Sequence, residues 1–171
     1  MARPPYTLHA VTVEKVQSVT PRLRRITIDG RRLTTYREGL PAQWLKVFVP
    51  GETDGGGRAY TIRRFDPVTG ALDMDFVVHG DAGPASNWAI RAKAGDRFEI
   101  SEPHPRGGVR LEPHHTRYLL FGDETALPAI ASILEALPAA TRADVFVEIE
   151  DQAEEQRIES AAAVNLQWLC R

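Results

Sequence analysis

Cysteine is nearly missing from these 171 residues: Cys170 stands alone. That excludes an internal disulfide framework and any cysteine-rich zinc or iron–sulfur site. No apolar run approaches the roughly 20 residues that span a bilayer, so no membrane insertion is expected. The first residues, MARPPYTLHAVTV, lack the apolar h-region of a secretory signal, and a cytoplasmic location is expected. Dense lysine runs with interleaved aromatics are also lacking, so nucleic acid is not an expected partner. His104, His114 and His115 have no carboxylates at ligand spacing; they read as polar linker residues, and no resident metal is expected. There is no internal repeat and no low-complexity tract beyond Gly55-Gly56-Gly57, which reads as a hairpin tip.

What is present is the composition of a globular protein, 43% hydrophobic and 26% charged, of a length for one domain or one domain plus part of another. The net charge of −2 hides an asymmetry. Residues 1–66 carry 12 Lys/Arg against 6 Asp/Glu, and residues 67–171 carry 9 against 17. A basic first part suits a small anionic ligand such as a dinucleotide pyrophosphate, and it also fits outward-facing arginines on a solvated surface.

Residues up to about 113 read as strands. His9–Val19, Arg22–Asp29, Gln43–Val49, Arg58–Phe65, Ala71–His79 and Arg97–Ile100 are short, rich in β-branched and aromatic residues, and bounded by Pro or Gly. Six such strands at this spacing predict a small antiparallel barrel, because closure removes exposed edges. One helix, Pro84–Ala94, interrupts them and stops at Gly95. After Pro113 the pattern changes. The apolar run Arg117–Phe121 predicts a buried parallel strand. A helix over Leu127–Leu137, a strand over Asp144–Ile149, a short acidic helix over Ala153–Ile158 and a strand over Leu166–Leu169 follow. This alternation predicts a three-strand portion of a doubly wound nucleotide-binding sheet. The expected organisation is a barrel domain at 1–113 and a partial α/β domain at 116–171.

Three segments carry chemistry. The first is Arg58-Ala59-Tyr60-Thr61-Ile62-Arg63. Tyr60 offers a flat apolar face with a hydroxyl, Thr61 a small hydroxyl beside a backbone N–H, and Arg58 and Arg63 planar forks for phosphate or an anionic ring. An edge strand with outward arginines fits the same letters. The second, residues 75–89, reads DFVVHGDAGPASNWA. Here a strand ends at His79-Gly80 and a helix opens at Pro84 and Ala85, with Ser86 in its first turn. Free amides and the macrodipole at that terminus form an anion site, and Pro84 suits the first helical position. His79 can bond a phosphate or a ring, and Trp88 can pack on a ligand or in the core. The third, residues 119–138, reads LLFGDETALPAIASILEALP. Asp123, Glu124 and Thr125 stand where dinucleotide-binding turns are glycine-rich, with Thr125 placed to cap the next helix. Glu150 or Asp151, at the end of the second parallel strand, can accept from a ribose hydroxyl or simply open a solvated helix.

R-x-Y-[ST]-x-R, HG-x-x-GPAS-x-WA and GDETALPAI…ILE-x-LP together resemble the siderophore-interacting proteins, FAD-dependent ferric-siderophore reductases of the ferredoxin-reductase-like superfamily, and the resemblance runs from His9 to Leu169. It implies FAD held by Arg58, Tyr60, Thr61, Ile62, Arg63, Val78, His79, Gly83, Pro84, Ala85, Ser86 and Trp88. It also implies NADH or NADPH near Asp123, Glu124, Thr125 and Ala126, a ferric siderophore as substrate, and no side chain acting as a chemical catalyst. The family's GPRG-like turn departs here at His104, which puts flavin contacts from that loop in doubt. A general flavin reductase, or a flavin-binding module lacking reductase activity, fits the same motifs. The resemblance implies further strands and an aromatic–basic tail. The chain is therefore expected to hold only part of the nucleotide-binding unit. Its open edge strand, Arg117–Phe121, is expected to self-associate, to lose order after about residue 140, or to be rescued by packing on the barrel.

Overall fold

The computed structural model describes residues 6–33, 36, 40–51, 56–78 and 83–171. The longest strand, β1 (Leu8–Thr20), organises the first unit. It is joined by β2 (Leu23–Asp29), β3 (Trp44–Phe48), β4 (Arg58–Thr61), β5 (Arg64–Phe65), β6 (Ala71–Val77) and β7 (Arg97–Ser101) in the antiparallel order β4-β3-β7-β1-β2-β6-β5. Leu8–Thr12 pairs with β7, and Val13–Thr20 pairs with β2. A register shift between Val13 and Lys15 lets the one strand serve both halves of the curved sheet.

The expected six strands are seven because Arg58–Phe65 does not run through. β4 and β5 stand at opposite ends of the sheet order and adjoin in sequence. At the break, the Ile62 N–H donates to Gln43 O beside β3 and the Arg63 N–H to Asp73 O on β6. The strand changes partners over two residues, and this step brings the two ends of the sheet together. Inside lie Val13, Ile26, Ile28, Leu45, Val47, Leu72, Met74, Phe76 and Ile100, the inward positions of alternating strands. Each such side chain contributes about 1.5–3 kcal/mol by leaving water. A helix, α1 (Pro84–Arg91), crosses the barrel mouth; it is shorter than expected, and a guanidinium nitrogen of Arg24 donates to the Ile90 carbonyl in its last turn.

The second unit holds β8 (Arg117–Asp123), α2 (Leu127–Ala136), β9 (Arg142–Ile149) and β10 (Ala163–Cys170), with parallel strands in the order β10-β9-β8. Leu127, Ile130, Ile133 and Leu134 of α2 pack on Ala143, Val145, Val147 and Ile149. The strand Arg117–Phe121, expected to be buried, is covered on one face only: on the other, Leu119 and Phe121 are 63% and 74% exposed because α2 packs on the opposite side of the sheet. The helix expected over Ala153–Ile158 is one 3-10 turn at Gln152–Glu154, and the chain then runs extended to β10. The reason is Glu154, only 3% exposed, which turns into the barrel instead of lying on a solvated helix. It accepts from the Thr20 hydroxyl and, at 3.0 Å, from the Arg22 N–H. Three bonds fasten α2 to the barrel: Ala42 N–H to Ser132 Oγ at 2.8 Å, and Arg63 to both Glu135 oxygens at 2.6 and 2.7 Å.

Candidate functional site

Among the cavities that open where the units meet, two adjoin the motif residues. The smaller, about 310 Å³, gathers the motif residues: Arg58, Ala59, Tyr60 and Thr61 on one side, Gly83, Ala85 and Ser86 of the α1 entry beside them, and Thr125 with Pro128 of α2 opposite. The larger, about 750 Å³, lies behind a wall of ion pairs and is lined by Arg25, Arg63, Arg64 and Arg157 interspersed with Glu135, Glu155 and Glu159. Four arginines and three glutamates nearly offset one another there, and of the motif residues it holds Arg63 and Glu135, bonded to each other. The motif residues of the barrel gather in the smaller cleft despite the difference in size.

Tyr60 is fixed from behind. Its ring stacks on the fully buried Phe76 at 4.1 Å between centroids, with 29° between the planes. The side chain thus presents a rigid flat surface, the arrangement a planar aromatic ligand needs. At α1, Gly83 is the N-cap and brings no side-chain cap; a Cβ built on it meets nothing within 4 Å. The Ser86 hydroxyl donates to Val77 O at 3.0 Å and ties this first turn to the end of β6. The amides of an eight-residue helix therefore face the cleft without a carboxylate of their own helix's cap, which suits a pyrophosphate. A flat surface and an anion-binding helix end in one cleft fit FAD.

The other expected site residues fall elsewhere. Ile62 is buried in the barrel core, and Val78 packs against it. Trp88 sits between Phe76 and Phe98, at 6.0 and 4.8 Å, on the core side of α1. Arg63 is turned from the cleft to Glu135. His79 lies outside the described residues. Asp75 was missed: it lines the cleft, and its carboxylate takes both Arg25 nitrogens at 2.7 Å. Its only sequence signal was a second aspartate in the alternating run Ala71–Val77. His104, the departure from the GPRG-like turn, stacks on Trp44 at 4.2 Å and 13°, so that loop wraps a tryptophan away from the cleft.

The turn from β8 into α2 closes on itself. Thr125 does not cap α2, whose N-cap is Ala126 without a side-chain bond; instead Asp123 Oδ1 closes the turn, taking the Thr125 N–H at 2.9 Å, the Thr125 hydroxyl at 2.6 Å and the Ala126 N–H at 3.3 Å. Gly122 survives from a glycine-rich turn for a steric reason: a Cβ there would stand 2.5 Å from the Ala126 Cβ. Glu124 is bonded twice to Arg171, which also reaches Glu148 at 2.6 Å and Glu150 at 3.1 Å. Glu150 pairs with Arg22 as well, and Asp151 caps the 3-10 turn by accepting from the Ala153 N–H. The acids expected at a ribose are thus engaged within the protein. The bond from Thr125, working against burial, holds the Asp123 carboxyl below its usual range. At Glu124 burial opposes the charge, and the Arg171 guanidinium outweighs it.

A depressed carboxyl stabilises the fold above its unfolded value, 3.8 for Asp123, and loses that contribution as pH falls through the folded value. Asp123→Ala is expected to cost about 0.5–1.5 kcal/mol at pH 7, the net scale of a lost hydrogen bond. The difference from the unaltered chain should shrink in acid, below pH 3.8. Urea unfolding at neutral and acid pH measures it; an equal difference at both would show that the charge is not involved.

Comparison with known proteins finds relatives of both parts of the chain. Residues 49–107 match the family model of the siderophore-interacting FAD-binding domain, and residues 115–171 match that of the siderophore-interacting protein. The chain is 30% identical to the ferric vibriobactin reductase ViuB of Vibrio cholerae over 174 aligned residues, covering 90% of this chain and 63% of that protein. It therefore spans under two thirds of that relative's length. Among solved structures, a siderophore utilization protein from T. fusca superposes with a TM-score of 0.83 at 33% identity, covering 99% of this chain and 71% of the other. The siderophore-interacting protein SipS from Aeromonas hydrophila gives 0.80 at 34%, covering 98% and 69%.

Proposed function

Since the chain belongs to the siderophore-interacting protein family, we propose that it is an FAD-binding oxidoreductase that reduces ferric siderophores and releases iron(II), with electrons drawn from NADH or NADPH through the flavin. The observation that carries the reading is the cleft in which the Phe76-backed Tyr60 stands beside the uncapped start of α1. FAD supplies two-electron acceptance and one-electron donation, which iron(III) requires. The chain's own residues bind and orient. Tyr60 and Thr61 would hold the ring, Arg58 would offer a fork to phosphate, and the amides of Ala85 and Ser86 would favour the pyrophosphate. No side chain need move a proton, because iron(II) leaves hard oxygen donors on reduction alone.

FAD is expected to bind well ahead of FMN, which lacks a pyrophosphate; equal affinities in a fluorescence titration would reject the placement. Tyr60→Ala and Arg58→Ala should each weaken FAD binding by about 1–3 kcal/mol, the scale of one aromatic stack or charge-assisted bond. Unchanged occupancy in both variants would show that the ring lies elsewhere.

One observation favours a second reading, a flavin module poorly reduced by nicotinamide. Asp123 already takes the N–H groups of Thr125 and Ala126 in the turn a dinucleotide would use, and the acids Glu124, Glu148 and Glu150 crowd that end of the sheet around Arg171. Stopped-flow mixing with NADH and NADPH separates the two. Flavin reduction at about 1–1,000 per second supports the reductase, and slower reduction supports the module.

A further inference from the structure

Arg63 closes the flavin-type motif on paper but does not face the cleft in space. Its side chain is 9% exposed, its guanidinium grips both oxygens of Glu135 at 2.6 and 2.7 Å, and its Nε lies 3.9 Å from Asp75. Asp75, 1% exposed, is in turn held bidentately by Arg25. The chain Arg25–Asp75–Arg63–Glu135 forms the wall between the two cavities and crosses from the barrel to the second unit. Its far end is the last turn of α2, and the entry to the same helix, Thr125 and Pro128, forms the cleft wall that faces Tyr60.

We propose that Arg63 and Glu135 are positioning residues that hold α2 at a set distance across the cleft, so that they govern access to the bound flavin rather than its affinity. This deepens the reading of the cleft as an FAD site and rests on it. The lever is geometric. A ten-residue helix is about 15 Å long. Ser132 and Glu135 lie on one face of α2, three positions apart, and anchor its C-terminal half through Ala42 and Arg63. The N-terminal half has no such bond to the barrel among the described residues. Its tilt over Tyr60 is set by the two anchors behind it. Of these, Arg63–Glu135 starts two residues from Thr61 and so ties helix and ring wall to one stretch of backbone. A bidentate fork resists rotation as well as separation, which a single hydrogen bond does not.

The test uses the whole chain loaded with FAD and two readouts: FAD affinity, and quenching of bound-flavin fluorescence by acrylamide, a neutral probe blind to the charge change. Arg63→Ala and Glu135→Ala are each expected to leave the FAD dissociation constant within roughly threefold and to raise the quenching constant at least about twofold, within ordinary coupling scales. The conservative Glu135→Asp, which keeps a carboxylate for the Arg63 fork, should bring quenching back toward the unaltered value. Glu135 lies at the helix surface, so its variant reports even where Arg63→Ala folds poorly. Loss of FAD affinity by roughly tenfold or more in Arg63→Ala, with Glu135→Ala unaffected, would make Arg63 a direct flavin ligand and overturn the inference. Unchanged quenching in Glu135→Ala would overturn it too. If the unaltered chain binds no FAD, the functional reading falls first and this one with it.

Discussion

Asp75→Ala is expected to lower the free energy of unfolding by about 3 kcal/mol, the low end of what breaking a buried ion pair costs. The carboxylate is 1% exposed and directly opposite Arg25 in the β2–β6 ladder. Removing it leaves a guanidinium that is 20% exposed without its fork. Donating to the Asp75 carboxylate raises the Arg25 pKa above its usual value. That residual solvent contact keeps the cost from the upper end of the range. Asp75→Asn retains an acceptor and is expected to cost about half as much. Urea unfolding at pH 7 decides, and a loss under about 1 kcal/mol for the alanine variant would show that water replaces the carboxylate at no cost.

Asp75 also shows where sequence and structure part. Ala71, Asp73 and Asp75 alternate outward along β6 while Leu72, Met74 and Phe76 point in. The period therefore places Asp75 on the surface. It is buried because α2 and Arg63 settle over that stretch of the barrel, a docking event that no local pattern encodes. The break at Ile62 and Arg63 was hidden for a similar reason: both residues suit a strand, and only the positions of Gln43 and Asp73 reveal a change of partner. Glu154 sits in a run of acids typical of a solvated helix, and its partners lie some 130 positions earlier. By contrast, the strands, the α1 entry and the apolar β8–α2 unit were legible, because alternation, Pro84 and helical spacing act within a few residues. The cleft walls around Tyr60 and Ser86 followed from those elements.

The 171-residue chain is expected to pair with a second copy through β8. Parallel sheets ordinarily have both faces covered, yet β8 is an edge strand and carries Leu119 and Phe121 on an open face. Antiparallel pairing of two β8 strands about Leu120 places Leu119 of one copy beside Phe121 of the other, and Arg117 beside Asp123. Apolar meets apolar and each charge meets its opposite, as a two-fold interface requires. Phe121→Lys sets like charge near Arg117 and removes the apolar contact, and it is expected to weaken association by roughly tenfold or more. Light scattering over a concentration series measures this. A monomer throughout, or a dimer indifferent to Phe121→Lys and Leu119→Lys, would refute the pairing.

Glu154 has a consequence for the order in which the molecule can be made. It reaches back 134 positions to Thr20, whereas the barrel's last strand is complete at Ser101, and every barrel residue of the cleft precedes that point. A ribosome adding about 5–20 residues per second takes roughly 3–10 s to produce the stretch between Ser101 and Glu154. During that interval the barrel can close and offer Tyr60 and the α1 entry to FAD before the opposing wall exists. Cofactor capture can therefore precede the second unit, which would then be laid down over a flavin already in place.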